Sequence, residues 1–208
     1  MGITDILSDT SMNKERLLVV AAHPDDESFG CLGTLLQVSR TSICFAWFTN
    51  APHDTGGVSR RMVTEFFEAE AYYFGYEDQR LDTSPLVDLI ADVEAVVKDF
   101  KPTVAYIPFI ADLNSDHRRV SEACMVAMRP YKPFSPRDVW MYSIPGTSEI
   151  GLRPMKVDRM VEIDKKRKRN LIGTWYPTEL KNGRETIDQF EYFERWPSEI
   201  KRSYPWPV

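Results

Sequence analysis

Four short runs that are apolar at every residue constrain the fold more than any other feature. They are Leu17-Leu18-Val19-Val20, Ile43-Cys44-Phe45-Ala46-Trp47-Phe48, Val104-Ala105-Tyr106-Ile107 and Val139-Trp140-Met141-Tyr142. A strand apolar on both alternating faces reads as buried on both sides. Between the runs, apolar residues recur at helical spacing: Phe29, Leu32, Leu35 and Leu36; Met62, Phe66, Ala69 and Tyr73; Leu86, Ile90, Val93 and Val97; Val120, Ala123, Cys124 and Ala127. This alternation predicts an α/β fold, a doubly wound, mainly parallel, Rossmann-like sheet with helices on both faces. The 208 residues fit a single domain, and no repeat, low-complexity tract or composition shift divides residues 1–208.

In chain order, residues 1–15 form a polar lead-in to a first strand at 16–22. A helix then runs to about residue 39, and the second strand ends at Thr49-Asn50. A loop over 51–59 carries His53, expected at the surface, and Gly56-Gly57. The next helix is expected to end at Gly75 as its C-cap. A short strand is expected at 78–81, and Ser84-Pro85 to open a helix with Ser as N-cap. A strand at 104–107, a loop over 108–116, a helix stopped near Pro130 and a strand at 139–142 follow. Residues 160–163 read as an edge strand leading into a helix through Leu171. The tail from Tyr176, rich in aromatic and charged residues, receives no element.

The turn after the first strand is Ala22-His23-Pro24-Asp25-Asp26-Glu27. An imidazole and three carboxylates thus sit between a strand and a helix, at the sheet edge where ligands of open α/β folds bind. A helix cap uses one carboxylate. Three beside a His repel one another unless a cation lies among them. The N and O donor set suits zinc or a similar divalent metal. The chain has only three histidines, His23, His53 and His117. His117 also follows a strand and loop and opens a helix, so two strand ends of one parallel sheet can bring it to His23. His23, Asp26 and His117 then form a three-residue ligand set that leaves a position for water, as in catalytic zinc sites. Asp116 is placed to orient a ligand from behind. Asn114 is expected either to donate its amide to a substrate oxygen or to shape the loop turn.

Composition narrows the partners. A net charge of -5 without a basic patch argues against nucleic acid. The run Lys165-Lys166-Arg167-Lys168-Arg169 reads as a solvated helix face. Cys31, Cys44 and Cys124 are unclustered, fitting buried thiols in a reducing compartment. No signal peptide is legible and no apolar stretch is long enough to span a bilayer, so a cytoplasmic location without stable membrane insertion is expected.

At these residues the sequence resembles the LmbE-like, or PIG-L, deacetylase family. That family carries Ala-His-Pro-Asp-Asp-Glu after its first strand, followed by Gly-x-x-Gly-Thr, here Ala22 to Glu27 and Gly30 to Thr34. Asp112-Leu113-Asn114-Ser115-Asp116-His117-Arg118 matches the Asp-x-Asn-x-Asp-His-Arg form of one branch. The spacing from Arg60-Arg61 to Glu65 to Gly75 fits, as does Arg80-Leu81-Asp82. The likeness covers about residues 16–150; beyond it, Tyr176-Pro177-Thr178-Glu179 matches a family segment only loosely.

The resemblance implies a zinc-dependent hydrolase that removes acetyl groups from N-acetylated amino sugars or sugar conjugates. It implies one divalent ion per chain, zinc or another, held by His23, Asp26 and His117, with Asp25 as general base. Asp116 and Asn114 are expected to assist. Some members have a His at the position of Asn114; an Asn cannot transfer protons, which reduces that role to hydrogen bonding. Asn50, Arg61 and Asp112 are expected to bind substrate, and a homo-oligomer is compatible with the family. A dinucleotide-binding fold is disfavoured, because carboxylates occupy the turn where Gly-x-Gly-x-x-Gly would cradle a pyrophosphate. A different amidase, a phosphoesterase and a non-catalytic sugar-binding relative are the remaining alternatives.

Overall fold

The computed structural model describes residues 15–38, 43–50, 54–181 and 187–196. In chain order they form β1 (Leu17–Ala21), α1 (Asp26–Leu35), β2 (Ile43–Asn50), α2 (Val58–Phe67), β3 (Glu70–Glu77), α3 (Leu86–Phe100), β4 (Val104–Pro108), α4 (Ser115–Ala127), β5 (Asp138–Tyr142), β6 (Arg159–Glu162), α5 (Lys165–Trp175), α6 (Pro177–Lys181) and β7 (Phe190–Trp196). The strands make one seven-stranded sheet in the order β3-β2-β1-β4-β5-β7-β6. The first five pair in parallel, whereas β7 runs antiparallel to both β5 and β6.

The continuously apolar β1 divides its residues between two cores. Leu17, Val19 and Ala21 pack with α1, α2 and α5 on one face. Leu18, Val20 and Ala22 pack with α3 and α4 on the other. This is the period of two of a strand covered on both sides. The chain moves outward from β1 through β2 to β3, then returns to lay β4 and β5 on the other side of β1. Strand order therefore reverses between β1 and β4, and their carboxyl ends open onto one crevice.

The glycines after the acidic turn permit close packing. A Cβ on Gly30 would stand 2.2 Å from Cδ2 of Tyr142, and one on Gly33 2.4 Å from Cγ2 of Ile163. With Gly30 in place, the Tyr142 hydroxyl donates to the Val20 carbonyl at 2.8 Å. So α1 lies tightly against the β5 side of the sheet.

Several local expectations are corrected. The spacing of Met62, Phe66, Ala69 and Tyr73 is not one helix. Glu68, at φ 50°, ends α2, and residues 70–77 form edge strand β3. Alternation wins there: Tyr72, Phe74 and Tyr76 pack toward one core and Ala71 toward the other. Gly75 is not a C-cap. Between the pairs Trp47–Tyr73 and Thr49–Tyr76, β3 carries one residue more than β2, a bulge that Gly75 accommodates at φ 77°. Residues 78–81 are a turn leading into a 3-10 turn at Leu81–Thr83, not a strand. The N-cap of α3 is Pro85, without a side-chain cap bond, so Ser84 does not cap it. The buried face of α3 is Leu89, Val93, Val96, Val97 and Phe100, while Leu86 and Ile90 are half-buried.

Within the basic run, Lys168 is buried and its neighbours are exposed. Its Nζ pairs with Glu191 Oε1 at 2.7 Å and donates to the Phe29 carbonyl at 2.6 Å. The tail supplies α6 and the internal strand β7. His53, most of the lead-in and the last residues lie outside the described residues.

Candidate metal centre

The acidic turn is tightly wound. Asp25 is the N-cap of α1 with φ 118°, a left-handed conformation that costs a non-glycine residue about 1–3 kcal/mol. Its carbonyl accepts from Ser28 N and Phe29 N at 2.8 and 2.9 Å, while its carboxylate makes no cap bond. The capping explanation of the acidic run therefore fails at the residue where it would apply. Asp26 opens α1 and accepts from its neighbour's main chain, His23 N to Oδ2, at 2.8 Å.

From β4, the second half arrives on α4. Asn114 is its N-cap, with Oδ1 accepting from Asp116 N at 2.8 Å. His117 then points back toward β1. His23 Nδ1 and His117 Nε2 stand 3.2 Å apart. Asp26 Oδ2 is 3.4 Å from His23 Nδ1, and Asp26 Oδ1 is 3.2 Å from His117 Nε2. All three residues are buried. Bonds of about 2.0–2.1 Å at tetrahedral angles put ligand atoms about 3.3–3.4 Å apart. The donors thus fit a zinc-sized ion by type and by spacing.

The outward nitrogens of both rings face further carboxylates. His117 Nδ1 is 3.2 Å from Asp112 Oδ1, and Asp112 is held by Asn114 N at 2.8 Å and by Ser148 Oγ at 2.5 Å. His23 Nε2 is 3.1 Å from Asp78 Oδ1 and 3.4 Å from Asp116 Oδ2. His23 Nε2, His117 Nδ1 and Asp116 Oδ2 nevertheless lack a bond of hydrogen-bond geometry.

The charges are strongly coupled. Burial disfavours a charged His23 ring, but Asp26, Asp116 and Asp78 outweigh it and push its pKa up to about 12. The same competition, won by Asp26 and Asp112, pushes His117 up to about 9. Burial opposes ionised Asp26 too, and the two imidazoles hold its carboxyl well below the usual range. Protons here compete for the place a cation would take.

The expected residues separate on inspection. His23, Asp26, His117, Asp112 and Asp116 converge. Asp112 is buried behind His117, hydrogen-bonded on several sides, which is the geometry of a support rather than of a substrate contact. Asn50 is exposed at the end of β2, where it accepts from Arg60 Nη2 at 3.1 Å. Arg61 is exposed on α2; it is Arg60 that is buried and bonded to Asp54 and Asn50. Glu27 is no ligand. It accepts from Trp47 Nε1, Tyr176 OH, Ser28 Oγ and Asp25 N, and burial pushes its pKa up. Asp78 was not anticipated. Its only trace in the sequence is a polar stretch, and Gln79 at φ 57° makes that stretch a turn.

The sequence pattern of the PIG-L family, described as GlcNAc-PI de-N-acetylase, matches residues 18–128. This chain belongs to the PIG-L, or LmbE-like, deacetylase family. Within this PIG-L chain the match runs from β1 through α4 and so contains every residue that converges on the centre. The protein named uncharacterized deacetylase YaiS, of Escherichia coli (strain K12), is 28% identical over 134 residues, 58% of this chain and 72% of the relative. Among solved structures, the N,N'-diacetylchitobiose deacetylase of Pyrococcus horikoshii superimposes with TM-score 0.67 at 16% identity, covering 89% of this chain and 85% of that one. GalB of Pseudomonas putida, a 4-carboxy-2-hydroxymuconate hydratase, gives 0.58 at 16% identity over 91% and 99% of the two chains. The fold is thus shared by enzymes of two reaction types, so the reaction must be argued from the site.

Proposed function

We propose that this PIG-L chain is a zinc-dependent hydrolase that removes the acetyl group from an N-acetylated amino sugar or sugar conjugate. The observation that carries the reading is the meeting of His23, Asp26 and His117, two imidazoles and a carboxylate with donor atoms 3.2–3.4 Å apart. Such an ion, when bound, lowers the pKa of its water toward about 7 and polarises an amide carbonyl.

The remaining work falls to the chain's own side chains. Asp25 takes a proton from the attacking water and returns it to the amine as the C–N bond breaks, leaving acetate and a free amino group. Its carboxylate suits that task because it is not spent on the helix end. Asp112 holds the His117 ring from behind, and Asp116 the His23 ring. Asn114 uses its oxygen as the cap of α4, which leaves the amide nitrogen to donate to the acetyl oxygen. Asn50 and Arg61, both exposed, contact the sugar.

The family membership and the deacetylase relative support hydrolysis over the hydration that GalB performs. No described helix is long and apolar enough to cross a membrane. Acetate release measured across a panel of N-acetylated amino sugars, with zinc analysis of the same sample, tests the proposal. Release from at least one sugar, lost on metal removal and restored by zinc, is expected. A zinc-loaded enzyme that releases no acetate from any of them would overturn it.

A further inference from the structure

The His23 ring meets carboxylates at both of its nitrogens, and the ion of the proposed function would use Nδ1 alone. The other nitrogen, Nε2, is 3.1 Å from Asp78 Oδ1 and 3.4 Å from Asp116 Oδ2, again the spacing of a tetrahedral edge. His23 and Asp116 are buried, and neither Nε2 nor Asp116 Oδ2 makes a hydrogen bond of acceptable geometry. The Asp78 side chain is 22% exposed, so this outer cluster is more open to solvent than the inner one.

Charge points the same way. Asp25, Asp26, Asp112 and Asp116 are buried in this region, and Asp78 adds a further carboxylate. The nearby cation Arg118 is engaged elsewhere, with Nη1 donating to the carbonyls of Asp112 and Leu113. One divalent ion leaves this group of carboxylates with surplus negative charge, and buried charge of one sign is costly unless it is compensated.

We propose that His23 Nε2, Asp78 and Asp116 form a second, weaker divalent-cation site, with the His23 ring bridging it to the inner one. The inference rests on the proposed inner ion at His23 Nδ1. When the outer ion binds, a coordinate bond forms at Nε2 and the Nε2 proton passes to the buffer. The ion also draws Asp116 away from supporting His23. Filling the outer site therefore lowers turnover: the first equivalent of metal activates and an excess inhibits. The carboxylate-rich donor set, with a single nitrogen and an open side, accepts Zn²⁺ or Mn²⁺ and holds it less firmly than the two-imidazole site.

Metal-stripped protein dialysed against Zn²⁺ from micromolar to millimolar concentrations, with zinc counted per chain, tests this directly. Wild type is expected to rise through one to two ions per chain, with acetate release falling about 10-fold or more as the second binds. Asp78→Asn is expected to stop at one ion and to lose the inhibition. His117→Ala is expected to lose the tight ion and keep the weak one, and the double variant to lose both. A wild-type count that never exceeds one, or a second ion that persists in Asp78→Asn, would overturn the proposal. The count is independent of the reaction. Two ions per chain without acetate release at any zinc level would sink the deacetylase reading and leave the outer site standing.

Discussion

Two groups of buried polar residues meet the chain at α1, and they are satisfied in opposite ways. Glu27 and Glu191 are saturated. Glu27 Oε1 accepts from Ser28 Oγ and Tyr176 OH, and Oε2 from Trp47 Nε1 and Asp25 N. Glu191 Oε1 accepts from Gly33 N and Lys168 Nζ, and Oε2 from Thr34 N and Thr34 Oγ1. The Asp26–His23–His117 group faces its polar atoms at one another, and the outward nitrogens His23 Nε2 and His117 Nδ1 lack hydrogen-bond geometry. A buried carboxylate supplied with donors by its own chain is a structural joint. One left facing imidazole nitrogens is compatible with a cation. Both groups are buried, and the donors make the difference.

The sharpest way to break that contrast is inside the motif itself. Asp25→Ala is expected to lower turnover by about 100- to 10,000-fold while zinc content stays at the wild-type level. His23→Ala is expected to lose both. Zinc analysis and acetate release on the two purified variants decide it, and equal zinc loss in both would remove the distinction between base and ligand.

Next comes the saturated side. Lys168→Met removes the counter-ion of Glu191 and leaves a buried carboxylate short of a donor. The expected loss of stability is about 3–5 kcal/mol, measured by urea unfolding. If Glu191 is a joint and not part of the site, the folded variant keeps its zinc. A variant of wild-type stability would show that main-chain donors from Gly33 and Thr34 suffice alone.

The smallest effect is in pH dependence. Asp26 and Asp112, working against burial, raise the His117 pKa from 6.5 to about 9. In the metal-free fold a charged His117 ring thus adds stability that is complete below pH 6.5 and is lost as pH rises through about 9. His23, raised further, continues the trend at higher pH. In the zinc-loaded protein the nitrogens carry no competing proton, so that decline is expected to disappear. Melting temperatures of stripped and loaded protein between pH 6 and 9.5 compare the two. A parallel decline in both would mean that proton and metal do not share the site.

Much of the fold was legible because its signals are local. Fully apolar strands such as β1 and β4 need two covered faces, and the helices between them supply the cover. The meeting of His23 and His117 was readable too, since each follows a strand of one parallel sheet and stands near the start of the next helix. Helical and strand periods coincide over short windows, so Met62 to Tyr73 read as one helix until Glu68 took a left-handed turn. Asp78 escaped notice because nothing in a polar turn shows which distant ring it will face.

The sequence by itself determined the mainly parallel sheet and the candidate metal-binding residues at its strand ends, because strand periodicity and donor chemistry are written in adjacent residues. Only the tertiary structure decided that Asp112 stands behind His117, that Asp78 reaches His23, and that Lys168 and Glu191 lock α1 from the far end of the chain. The last two pairings span 55 and 139 residues, and such pairing, like the direction in which Asp112 faces the His117 ring, depends on how the elements pack, which no local pattern encodes.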